Sequence, residues 1–134
     1  MKKLMCLVCL FALLFTGCRG GDVSQVQMVT GQSEIFTQQE IEAAMEVAMD
    51  YFRREFDGCT MTQIEYNEDK SAGAAAEWAR QYGAEEGIVL YSSFYVDASG
   101  GDGSLNPNST YTKWQWVLTR DAGGEWVLRT WGYG

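Results

Sequence analysis

The chain contains no histidine. That absence removes the commonest metal ligand and the usual general base at neutral pH, and with them every Ser-His or Cys-His nucleophilic arrangement. Bases are scarce as well: ten Lys and Arg stand against eighteen Asp and Glu, a formal net charge of -8 over 134 residues. So acidic a chain suits neither nucleic acid nor the flat surface of an anionic bilayer, since both reward clustered cations. Apolar side chains are not in short supply, at 46% with 13% aromatic. That content is enough to fill a core, so the chain is expected to fold, and its length suits one small domain.

The longest apolar run lies at the start. Lys2 and Lys3 precede the stretch Leu4 to Phe15, and Phe15-Thr16-Gly17-Cys18 closes it with a small residue directly before a cysteine. The run is too short for a permanent membrane span and reads as a removable signal segment. Its pattern resembles the lipobox of bacterial lipoproteins, with Phe15 where that motif usually has leucine. The resemblance implies cleavage after Gly17, a diacylglyceryl group on the Cys18 thiol, and retention on the extracytoplasmic face of the cell membrane. Two acyl chains give stable retention where one gives marginal binding.

The expected organisation is a signal peptide over 1–17, a lipid-anchored flexible tether over 18–35 and a single domain over 36–134. Processing leaves 117 residues with eight bases and eighteen acids, a formal charge of -10. Cys6 and Cys9 depart with the signal and Cys18 carries lipid, so Cys59 has no intrachain disulfide partner and reads as a small buried apolar residue. The tether is rich in Gly, Ser, Gln and Thr. Val23, Val26, Met28 and Val29 within it offer the alternative of a short edge strand.

At Thr37 the pattern changes. Thr37-Gln38-Gln39-Glu40 matches a capping box, with Phe36 ahead of it and Ile41 at the staple position. Ile41, Met45, Ala48, Phe52 and Phe56 then form one apolar stripe, and Asp57-Gly58 ends the helix. Cys59 to Tyr66 reads as a strand leaving through a turn at Asn67-Glu68-Asp69, and Ser71 caps a second helix over Ala72 to Tyr82. Three β-branched and aromatic runs follow, Ile88 to Asp97, Tyr111 to Asp121 and Glu125 to Tyr133, which predict an antiparallel meander. The connection Ala98 to Thr110 is far longer than a hairpin needs. The expected fold is α+β in the order α-β-α-β-β-β, with the first helix packed on a curved antiparallel sheet.

From Phe36 onward the chain resembles small cystatin-like or NTF2-like domains of bacterial lipoproteins. It looks most like an uncharacterised family from Gram-positive bacteria, through Gly103-Ser104-Leu105-Asn106-Pro107-Asn108, Trp114-Gln115-Trp116 and Gly124-Glu125-Trp126. That family brings no established activity with it.

Strict alternation sorts the strands into two faces. Ile88, Leu90, Ser92, Phe94 and Val96 share one with Trp114, Trp116 and Leu118, continued by Trp126 and Leu128, and this face belongs under the first helix. The opposite parity holds Tyr91, Tyr95, Tyr111, Trp131 and Tyr133 among Lys113, Gln115 and Arg129. Either the second helix and cross-strand pairing cover those rings, or they stack on a glycan, a peptide or a protein. In the long loop, Asp97, Ser99, Asp102, Ser104, Asn106 and Asn108 offer oxygen ligands, but without the acid that closes an EF-hand at its twelfth position. Glu65, Glu68, Asp69, Glu85 and Glu86 are the acids placed for general acid-base work, and none is bracketed by inward apolar residues.

The expectation is a non-enzymatic binding or accessory module, without cofactor or metal, anchored through Cys18. Its contact surface is drawn from Tyr91, Tyr95, Tyr111, Trp131 and Tyr133 with Asp102, Asn106 and Asn108, for a protein, peptide or glycan and not for nucleic acid. A regulatory partner of a membrane protein is the alternative, and an isomerase or dehydratase of the kind NTF2-like domains host is the further one.

Overall fold

Thr37 opens helix α1 (Gln38–Glu55) as a complete capping box: its hydroxyl accepts from the Glu40 N–H, and the Glu40 carboxylate accepts from the Thr37 N–H. Two of the helix's free amide donors are thereby satisfied. Ile41, Ala44, Met45, Ala48, Met49 and Phe52 are the buried stripe. The structure is a computed structural model that describes residues 20 to 133; the signal, Cys18 and Arg19 lie outside the described residues.

The stripe packs on a five-stranded mixed sheet of order β1-β2-β3-β4-β5, formed by Gln27–Val29, Cys59–Glu65, Glu86–Val96, Ser109–Arg120 and Val127–Gly132. Strands β2 to β5 form the antiparallel meander, and β1 joins the edge parallel to β2. The order is therefore β-α-β-α-β-β-β. The added strand comes from the segment read as free tether. There the Gly21 N–H donates to the Arg53 carbonyl, Asp22 bridges Thr60, the Tyr66 N–H donates to the Val29 carbonyl, and Val23, Val26 and Met28 pack on the core. Gly20 and Gly21 make that docking possible. A Cβ on Gly21 would sit 2.4 Å from the Phe52 carbonyl oxygen, and Gly20 has φ +101°.

Helix α2 (Glu68–Gln81) starts three residues before the expected cap, because the Asn67 side chain accepts from the Lys70 N–H and is the true N-cap. Glu68 and Asp69, read as a turn, are the acidic first turn that favours a helix start. Ala75 of α2 packs on Val89 and Val117, with Trp78 and Tyr91 alongside. These strand residues have the parity opposite to the α1 face, so the sheet is covered on both sides.

Cys59 is 2% exposed at the start of β2. Burial, and then the negative charges of Asp97, Asp57 and Asp102, push its thiol up to about 11. A raised thiol contributes stability that is complete below its unfolded value and disappears as pH rises through about 11. A maleimide at pH 8 is accordingly expected to leave Cys59 unmodified in the native protein and to modify it in denaturant, read by mass spectrometry of the peptide carrying it. Labelling at equal rates in both states would contradict the burial.

Candidate functional site

Three β-bulges decide which rings meet. Between β3 and β4, Ser92 pairs with Trp114 and Phe94 with Tyr111, so Thr112 and Lys113 together oppose Ser93 alone. Lys113 takes φ +61° to make room. Between β4 and β5, Val117 pairs with Thr130 and Leu118 with Leu128, leaving Arg129 as the extra residue. Each bulge shifts alternation by one place. Tyr111, Trp131 and Tyr133, expected on the outer face, consequently lie on the α1 face with Trp114 and Trp116. The third bulge, at Thr62 in β2, puts both Met61 and Ile64 in the core and accounts for that strand's broken alternation.

Tyr91 and Tyr95 keep the outer parity. Tyr91 packs beside α2, and its hydroxyl donates to the Lys70 carbonyl. Tyr95 is exposed, with its hydroxyl 3.4 Å from the Asn108 side-chain oxygen. The five rings are thus divided between two faces and do not form one platform.

On the α1 face the rings form a continuous row. Tyr111 stacks on Phe94 at 5.2 Å, Tyr133 lies 5.5 Å from Tyr111 and 5.4 Å from Trp114, and Trp131 is 4.4 Å from Tyr51 of α1. Trp131 stays 40% exposed and Tyr133 60%. The loop after β3 folds back over this end. The Asn108 N–H donates to the Asp97 carbonyl, Leu105 packs on the core, and the Asn106 N–H donates to the Tyr111 hydroxyl oxygen at 3.0 Å.

Where α1 ends, the loop and the rings enclose a cleft of about 280 Å³. Its apolar walls are Tyr51, Phe56, Trp114, Trp131 and Leu105; its polar ones include Glu55, Asp57 and Asp102. The indole N–H of Trp114 is buried and finds no acceptor among the described residues. Such a donor is costly to leave unpaired. Asp102 accepts from the N–H and hydroxyl of Ser104, which hold its carboxyl below the usual carboxylate range. It is a carboxylate at neutral pH.

The sequence had marked Trp131 and Asp102, on separate grounds, and the fold brings both to one cleft. Tyr111 and Tyr133 stand behind its wall, Asn106 is tied to Tyr111, and Asn108 lies with Tyr95. Tyr51, Glu55, Asp57 and Trp114 were missed as site residues. Tyr51 and Glu55 are one turn apart at the end of α1, which is the signal that could have found them.

Three of the acids placed for acid-base work, Glu68, Glu85 and Glu86, are committed to the scaffold. Glu68 accepts from the Ser33 hydroxyl, the Glu34 N–H and the Tyr66 hydroxyl, which lower its carboxyl. Glu85 accepts from the Ala122 N–H, and Glu86 pairs with Arg120. Among the described residues, no three Asp, Glu or Cys gather as a metal site. No described helix is long and apolar enough to cross a membrane. No family model, curated protein or solved structure matches the chain at a significant level.

Proposed function

We propose that this is a lipid-anchored, extracytoplasmic binding module, held by a diacylglyceryl Cys18 and taking its ligand in the cleft between the end of α1, the loop after β3 and the rings of β4 and β5. The observation that carries the reading is the cleft itself: exposed Trp131, the Trp114 side chain and a charged Asp102 line one concavity. Aromatic walls with a few oriented polar groups are the usual make-up of a small-ligand site. The reading is non-enzymatic, because Glu68, Glu85 and Glu86, three of the five acids placed for proton transfer, serve as hydrogen-bond anchors of the scaffold.

A long helix across an antiparallel sheet supports membership of the cystatin-like or NTF2-like group of Gram-positive lipoproteins. Helix α2 on the opposite face and the parallel β1 would be this chain's additions. Exposed Val127 and Tyr133 on or beside β5, whose outer edge is unpaired within the sheet, favour a membrane-protein partner as the second reading.

Expression of the full chain tests both halves. Wild type is expected in the detergent-rich phase of a Triton X-114 partition and Cys18→Ser in the aqueous phase. A screen of cell-wall sugars and short peptides is expected to shift tryptophan emission in wild type but not in Trp131→Ala. Equal partitioning of the two chains, or a ligand response that survives Trp131→Ala, would overturn the corresponding half.

A further inference from the structure

Among the described residues, the cleft's charge has one sign. Glu55, Asp57 and Asp102 line it, and none of the described Lys and Arg residues does. Arg54 lies 5.9 Å from the centroid of Tyr51, but it lines a separate depression with Asp50 and Leu128. Its partner there is Asp50. The remaining walls are electron-rich rings, whose faces attract cations through their quadrupoles and do so most strongly for tryptophan. Three carboxylates beside such rings disfavour an anion and leave a purely neutral ligand without an electrostatic match.

We infer that the cleft binds an organic ammonium group, with the cation against Trp131 and the carboxylates. This rests on the proposal that the cleft is the ligand site. Amino alcohols, amino sugars and ammonium headgroups share that chemistry. The ring contacts contribute to affinity and the carboxylates to selection of charge.

Choline and 3,3-dimethylbutan-1-ol form the decisive pair of probes, since they have the same shape and the same hydroxyl and differ in the charge. Titrated into the full chain in a non-ionic detergent, choline is expected to quench tryptophan emission saturably, and the uncharged alcohol to bind at least tenfold more weakly. Glu55→Gln with Asp102→Asn should abolish the difference while leaving the melting temperature within a few degrees. Raising the salt concentration should weaken choline and not the alcohol.

Two vesicle arms distinguish the source of the cation. Emission already shifted in phosphatidylcholine vesicles, and not in phosphatidylglycerol vesicles, identifies a lipid headgroup; a response to free choline in both identifies a soluble amine. Either supports the ammonium assignment. Equal binding of choline and the alcohol, or a response confined to neutral cell-wall sugars, overturns the assignment and leaves the binding-module reading standing. Silence of the tryptophans toward every probe, charged or neutral, overturns both.

Discussion

Trp116→Ala is expected to remove about 3–5 kcal/mol of folding stability, within the range for truncating a fully buried tryptophan. Trp116 has no exposed surface. Its ring meets Phe56 at 5.5 Å, with Tyr51, Phe52 and Trp131 each 6.4 Å away. It therefore fills the space between the end of α1 and the centre of the sheet. Its indole N–H donates to the Ser92 hydroxyl at 2.8 Å, a buried bond joining β4 to β3. Truncation leaves a cavity and an unpaired hydroxyl together. A small domain holds roughly 5–15 kcal/mol in all, so the variant should melt ten degrees or more below wild type.

Trp116→Phe separates the two contributions. It keeps most of the ring volume and loses the hydrogen bond, for about 1–2 kcal/mol. Chemical denaturation followed by circular dichroism measures both. A loss below 1 kcal/mol for the alanine variant would mean that this residue is not at the centre of the core.

Arg120→Ala is the second large effect, expected at about 2–3 kcal/mol. The Arg120 side chain is 9% exposed, and its guanidinium pairs with Glu40 and Glu86 while lying 4.3 Å from the centroid of Trp126. The Trp126 indole N–H in turn donates to the Glu40 carbonyl. This one cation thus ties the start of α1 to β3 and β4 and to the approach to β5. Both carboxylates are about a third exposed, so water can reach them once the cation is gone, and the cost falls below that of breaking a fully buried pair.

The same knot governs behaviour in acid. The Thr37 N–H first, and then Arg120, hold the Glu40 carboxyl below its ordinary value of 4.5. A lowered carboxyl contributes stability that is present above the unfolded value and is lost as pH falls through the folded one. Wild type should therefore lose stability below about pH 4.5. Arg120→Ala should show a shallower loss, with the share due to Thr37 retained. An acid limb of unchanged slope would show that the cation does not set Glu40.

The helices and the meander were legible because their signals are local. Thr37 and Glu40 stand three residues apart and satisfy each other, and the three runs from Ile88 onward announce themselves by composition. The start of α2 was misplaced although Asn67, Glu68 and Asp69 carry an N-cap and an acidic turn, because the same residue types also make turns. Strand β1 has three residues and acquires its pairing from β2, which no local pattern records.

The faces were lost at the bulges. Lys113 at positive φ has no side-chain signature, since glycine would be expected there, and Arg129 is one polar residue among alternating ones. One uncounted residue in each strand moved Tyr111, Trp131 and Tyr133 across the sheet. That is why the cleft was not legible as a unit, although Trp131 and Asp102 each drew notice.

The docking of Gly20 and Gly21 against α1 bears on how the molecule stands in the envelope. A Cβ on Gly20 would lie 2.0 Å from the Arg53 carbonyl oxygen and 4.0 Å from a carboxylate oxygen of Asp57, which lines the cleft. With Cys18 as the proposed anchor, the two residues from Gly20 back to the acylated cysteine span at most about 7 Å. A domain anchored there would have no stalk. Held in that way, it would ride on the bilayer like a limpet, with the rim of its cleft near headgroup height, and whatever it captured would be taken from the layer of water touching the lipid.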